Sequence, residues 1–236
     1  MSAFGTTATS GTKTESCPGG SHPAILIGII DLGTHLEEFD EMKNEKKTGR
    51  KVEKEVRKIL LGWEIPGEFI AGKTPPATHV ITKDYILSGH IKASLRKMME
   101  SWRGKPFADG ENVDPTLGLG KACIVNIKEG KSAKGSTYAN LDGVAPLIKG
   151  MAPPVGKRKT VTWTFADGAA ALAAIDWLPA YLYGEKLSDM MARAKELRPA
   201  GSPPAKKPDA APIADEPANV QADVPALGST PDTIPF

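Results

Sequence analysis

The sequence predicts a mainly β fold with some α: a small five-stranded barrel with one helix between its third and fourth strands. Three observations lead there. Short β-branched and apolar runs alternate with Gly-, Pro- and Lys-rich turns through residues 23–150. A single stretch in that span repeats its apolar residues at helical spacing. Both ends of the chain lack any apolar period.

The elements follow in order. Ala24 to Leu32 is apolar and rich in isoleucine, the composition of a well-buried strand. A charged connection follows from Glu37, and its end turns into a second strand in which Ile59, Leu61, Trp63 and Ile65 share one face at period two. Pro66-Gly67 turns the chain, and Pro75-Pro76 keeps the next loop extended. His79 to Leu87 reads as a third strand. Ile91, Leu95, Met98, Met99 and Trp102 then form one apolar helical stripe, which Gly104 ends. Lys121 to Lys128 and Thr137 to Val144 are the fourth and fifth strands, joined by a Gly/Ser/Lys turn. The order β-β-β-α-β-β is that of the OB-fold, a partly open barrel that binds oligonucleotides.

Four zones result: a disordered segment over 1–22, the barrel over 23–154, a strand and helix addition over 155–198, and a disordered tail over 199–236. The addition holds a strand-like run from Thr160 to Phe165 and helix-prone stretches from Ala169 and Leu187, interrupted by Asp176-Trp177-Leu178-Pro179. It either covers the barrel or pairs protomers; a homo-oligomer stays open. The tail is Pro/Ala/Asp-rich, with too little apolar surface to offset the entropy of ordering.

Composition narrows the function. The net charge is +2. Residues 200–236 hold two lysines and five acids, a net of −3, so the rest of the chain carries +5. A basic body with an acidic tail suits a polyanionic ligand. No apolar run approaches the about 20 residues that span a bilayer, and no secretory h-region is present. Two distant cysteines fit a reducing cytoplasm, that of the host if the chain is phage-encoded. His22, His35, His79 and His90 are scattered without metal-ligand spacing, and no nucleophile stands beside a base, so no metal, cofactor or catalytic residue is expected. Gly67 to Thr74 does satisfy the G-x-x-x-x-G-K-[ST] pattern of a P-loop. Pro75-Pro76 and the β-type run after it oppose the helix that such a loop needs. The alternative of an ATPase using Lys73 and Thr74 is therefore the weaker one.

Non-specific capture of single-stranded DNA needs cations along the phosphates and flat rings for unstacked bases. Lys43, Lys46, Lys47, Arg50, Lys51, Lys54, Arg57 and Lys58 lie in one run between the first two strands. Lys73, Lys83, Lys121 and Lys128 add charge near the predicted strands and the 66–78 loop. Among the aromatics, Trp63 and Trp102 fall on core faces. Phe69, in the loop, is placed to cap a base. Tyr85 and Tyr138 suit stacking and packing equally well.

Several segments resemble those of bacteriophage replication-associated proteins: Trp63-Glu-Ile-Pro-Gly-Glu68, Ile81-Thr-Lys-Asp-Tyr85, the run from Leu95 to Phe107, Leu119 to Cys123, Tyr138-Ala-Asn140 and Pro146 to Gly150. The resemblance covers about residues 24–152 and implies a single-stranded DNA-binding protein of OB type. The ending Asp232-Thr233-Ile234-Pro235-Phe236 resembles the tip of bacterial single-stranded DNA-binding proteins, which closes on Ile-Pro-Phe after a disordered linker. That likeness implies docking of replication and recombination proteins by Asp232, Ile234, Pro235 and Phe236. An apolar ring beside a terminal carboxylate suits a hydrophobic pocket rimmed by cations. This chain carries one acid in the tip where that family carries several. A third reading is an adaptor whose basic surface meets a protein rather than DNA.

Overall fold

The computed structural model describes residues 16–43, 46–131, 137–182 and 185–196. The side chains of residues 42, 43, 46, 47, 195 and 196 lie outside that description, as do residues 1–15 of the segment predicted disordered over 1–22 and the tail predicted disordered over 199–236; residues 20–22 of the first are instead strand, and Cys17 is buried.

Two long strands dominate. β1 (Gly20–Lys43) and β2 (Lys46–Phe69) are 24 residues each and pair antiparallel from Ile25↔Glu64 to Lys43↔Lys46. The charged stretch expected as a connection is thus a continuation of both strands. Its pairing explains why: Phe39 faces Val52, His35 faces Val56, and between them Glu37 faces Lys54, so one face of the arm carries apolar contact and an opposite-charge pair across the strands. β3 (Thr78–Ile86) pairs with β2. β4 (Ala122–Lys131) pairs with the start of β1, and β5 (Thr137–Ala145) with β4. The sheet order is β3-β2-β1-β4-β5, all antiparallel, and the short β6 (Val161–Trp163) runs parallel to β1 beside Gly28–Ile30.

The fold is mainly β with few helices, and among the described residues no ladder joins the edge strands β3 and β5. The barrel read from the sequence is therefore an open antiparallel sheet here. Where a closing ladder would lie, a side chain bridges instead: Lys83 Nζ donates to the Leu141 carbonyl at 2.9 Å.

α1 (Ser94–Arg103) lies between β3 and β4. Leu95, Met98, Met99 and Trp102 are buried on its apolar stripe, and Gly104 ends it in the left-handed region at φ 69°. The predicted stripe began one turn earlier, at Ile91, which is instead exposed. His90 diverts the backbone there: its Nδ1 accepts the Lys92 N–H and its carbonyl the Ala93 N–H. The α1 stripe joins Ile59, Leu61, Trp63 and Ile65 of β2 and Val125, Ile127, Leu141 and Val144 of β4–β5 in one core. Each such side chain stabilises the fold by about 1.5–3 kcal/mol.

The opposite face of the β1–β2 pair carries a second core. Ile30, Leu32 and Leu60 pack there against Trp163, Leu187, Met190 and Met191. The segment beyond residue 160 builds this layer through β6, α2 (Gly168–Ala173), the two-residue strands β7 (Tyr181–Leu182) and β8 (Glu185–Lys186), and α3 (Leu187–Glu196). Its anchor is a buried carboxylate. Glu64, on the face of β2 that carries Leu60 and Gly62, accepts the Thr78 hydroxyl at 2.6 Å and the Lys157 and Arg158 backbone N–H groups at 3.0 and 3.1 Å.

Candidate nucleic-acid interface

The cations of the β1–β2 run are distributed over a two-stranded arm, and several are already engaged. Lys51 Nζ lies 2.8 Å from Asp40, whose hydrogen bond holds the ammonium pKa above its ordinary value. Arg57 grips the buried Asp31 through Nη2 at 2.6 Å and Nε at 3.2 Å, and that hydrogen bond raises the guanidinium pKa. Lys58 is buried, pairs with Glu37 and stands 3.7 Å from Asp84. A lysine so enclosed is a structural ion pair rather than a phosphate contact. Arg50 and Lys54 are exposed. The Lys46 and Lys47 side chains lie outside the described residues, as do Asp232, Ile234, Pro235 and Phe236.

Three of the predicted residues meet in one place. Between edge strands β3 and β5 lies a cleft of about 850 Å3 lined by Lys83, Asp84, Lys128, Tyr138, Asp142 and Tyr181. Tyr138 is 44 % exposed and lies against Gly130, its register partner on β4; a Cβ there would stand 2.5 Å from the phenol ring. Tyr181, 57 % exposed, borders the cleft from β7. Lys128 reaches Asp142 at 2.8 Å with both side chains largely in solvent, a weak and salt-sensitive pair. Tyr181 escaped the sequence reading because it sits in a helix-breaking segment with no period to place it.

Tyr85 packs rather than stacks. It is 4 % exposed within the first core, and burial first, then Asp84, pushes its phenol pKa well up. Lys83 stands 5.8 Å over its ring. Lys121 is exposed just before β4. Trp63 and Trp102 are core residues, as their periodicity predicts.

A second, smaller cleft of about 440 Å3 shares Thr82 and Ala139 with the first and is bordered by Arg158, Asp176 and Trp177. Arg158 pairs with Asp176 across it. Nearby, Phe69 is 47 % exposed with Lys157 Nζ 3.9 Å over its ring, a cation–π contact that presents ring and charge together. Lys73 is exposed in the loop between β2 and β3. Thr74 leads within four residues into strand β3, so the helix N-terminus that would hold phosphate in a P-loop does not follow it.

Among the described residues no group of three or more His, Cys, Asp or Glu side chains could hold a metal ion, and no helix is long and apolar enough to cross a membrane. Cys17 and Cys123 are buried thiols; burial, then Glu68, pushes Cys17 up to about 11. No family model matches the chain, and no curated protein matches it.

Proposed function

We propose that the chain binds single-stranded DNA without sequence preference, as a coating and recruiting protein in replication or recombination, and that it does no chemistry on the strand. The observation that carries this reading is the convergence of Tyr138, Tyr181, Lys83 and Lys128 on one cleft between β3 and β5. Exposed rings beside cations are what an unstacked strand requires, and every base offers a face to stack.

The sheet order supports an OB-type reading of the fold. An OB barrel joins its strands in the order found here, with a helix between the third and fourth strands. The DNA strand would run along β3, from Phe69 and Lys157 past Thr82 to Tyr138, since the two clefts share Thr82 and Ala139. The ending Asp232 to Phe236 would then dock replication or recombination proteins to the coated strand.

Fluorescence anisotropy of a labelled oligo-dT, set against a duplex of equal length at low and high salt, tests the reading. Length-dependent, salt-sensitive preference for the single strand supports it; equal binding to duplex, or none to either, sinks it. Deleting Ile234 to Phe236 should abolish capture of a replication partner and leave DNA affinity equal or higher.

The engaged cations of the β1–β2 arm favour a second reading for that arm alone. With Lys51, Arg57 and Lys58 held by carboxylates, the arm presents mixed charge suited to a protein partner rather than to phosphates. Charge reversal at Arg50 and Lys54 that leaves DNA affinity unchanged would support that role.

A further inference from the structure

Gly28 and Gly62 stand directly opposite each other on β1 and β2. Both face the second core, and the Trp177 indole fills the space above them. A Cβ on Gly62 would lie 2.5 and 2.8 Å from two carbons of that ring, and one on Gly28 would overlap it. The two glycines thus form a bare backbone floor on which a single flat ring rests.

The segment that this ring anchors carries one wall of the cleft. Asp176 is held by Arg158, Leu178 and Leu182 join the apolar cluster around Leu60, and the Leu187 N–H donates to the Ala180 carbonyl at 3.0 Å. Between these fixed points sits Tyr181, more than half exposed. Its strand pairs over two residues only, Tyr181↔Lys186 and Leu182↔Glu185. A two-residue ribbon has too few hydrogen bonds to hold its own place. Its position comes from what it is tied to, and one of those ties is Trp177, four residues before Tyr181.

We propose that Trp177, seated on Gly28 and Gly62, is the positioning residue that holds Tyr181 over the β3–β5 cleft and so sets the cleft's stacking geometry. This rests on the reading of that cleft as the single-strand site. Trp177 also borders the smaller cleft, and the effect proposed here is the one it exerts through Tyr181. Rings built on rigid supports are worth more to a ligand than mobile ones, because the ligand need not order them.

The test is a double-mutant cycle on the full chain, read as anisotropy of labelled oligo-dT. Trp177→Ala should weaken binding about fivefold or more, the lower end of what one stacked base contributes. In a Tyr181→Ala background that loss should vanish, whereas in a Tyr138→Ala background it should persist. Trp177→Phe, which keeps a ring on the glycine floor, should restore most of the affinity. Full additivity with Tyr181→Ala would overturn the proposal. Should Trp177→Ala lose its cooperative unfolding transition, Trp177→Leu carries the same cycle with an apolar side chain but no flat ring. Amide exchange gives an answer independent of DNA: Trp177→Ala should speed exchange at Leu187 while leaving the β4–β5 amides unchanged. Unchanged exchange at Leu187 would also overturn the proposal. If the wild-type chain binds no oligonucleotide, the reading of the cleft falls, and the exchange measurement still decides whether Trp177 positions Tyr181.

Discussion

The Tyr138 ring occupies the space that a side chain on Gly130 would need: the two residues are register partners on β5 and β4, and a Cβ on Gly130 would stand 2.5 Å from the ring. The ring is the free end of a half-exposed side chain, so it can swing aside. Gly130→Ala should therefore change stability by less than about 1 kcal/mol, in the range of surface substitutions, while weakening oligo-dT binding as Tyr138→Ala does. Parallel denaturation and anisotropy measurements check this; a variant with unchanged affinity would show that Tyr138 packs and does not stack.

Lys128 should contribute to the salt dependence of binding rather than to stability. Its partner Asp142 is exposed, and such a pair is worth little. Lys128→Ala should lower the slope of log affinity against log salt by about 0.7, the value for one phosphate contact on a single strand. An unchanged slope would place Lys128 off the phosphate path.

Glu64 should resist neutral replacement. Its carboxylate meets donors on both oxygens, the Thr78 hydroxyl and two backbone N–H groups. Glu64→Gln points an amide N–H at one of them, and a buried donor left unmatched costs about 1–3 kcal/mol. The urea midpoint should fall accordingly. A midpoint equal to wild type would mean that residues 157–158 are held by other contacts.

Glu100 should give the fold an acid-sensitive component. The Phe107 N–H, then Arg96, hold its carboxyl below the ordinary value of 4.5. A carboxyl lowered in the folded state contributes its full stability above the unfolded value and loses it as pH falls through the folded one. The difference in Tm between wild type and Glu100→Gln should be present at pH 7 and disappear at strongly acidic pH. A difference that stays constant with pH would exclude this source.

The thiols should be inert in the native protein. Cys17 is pushed up to about 11, and burial raises Cys123 further. At pH 8 neither should react readily with a disulfide reagent until denaturant is added, since the thiolate is the reactive form. Rapid native labelling of two thiols would contradict the burial.

Much of the sheet is legible one strand at a time. The period-two face of Ile59, Leu61, Trp63 and Ile65 and the helical stripe through Leu95 and Trp102 both enter the first core, because burial of one face is a local pattern. The charged arm was not legible as strand. Its β character rests on cross-strand partners such as Phe39 and Val52, which are 13 residues apart in sequence. The cleft was half legible: Lys83, Lys128 and Tyr138 could be named from charge and ring chemistry, but nothing local distinguishes them from Lys58 and Tyr85, which proved to be enclosed.

Residue chemistry along the chain was thus enough to establish a mainly β protein with one well-marked helix, the core-facing stripes of β2 and, from Leu95 on, of α1, and the absence of a helical turn after Thr74. Those properties depend on neighbours within a few residues. Which cations are engaged, which tyrosines reach solvent, and that Trp177 rests on Gly28 and Gly62 all depend on residues far apart in sequence. Such pairings come into being only when the sheet has folded, because the register of the strands, and not the order of the residues, decides who faces whom.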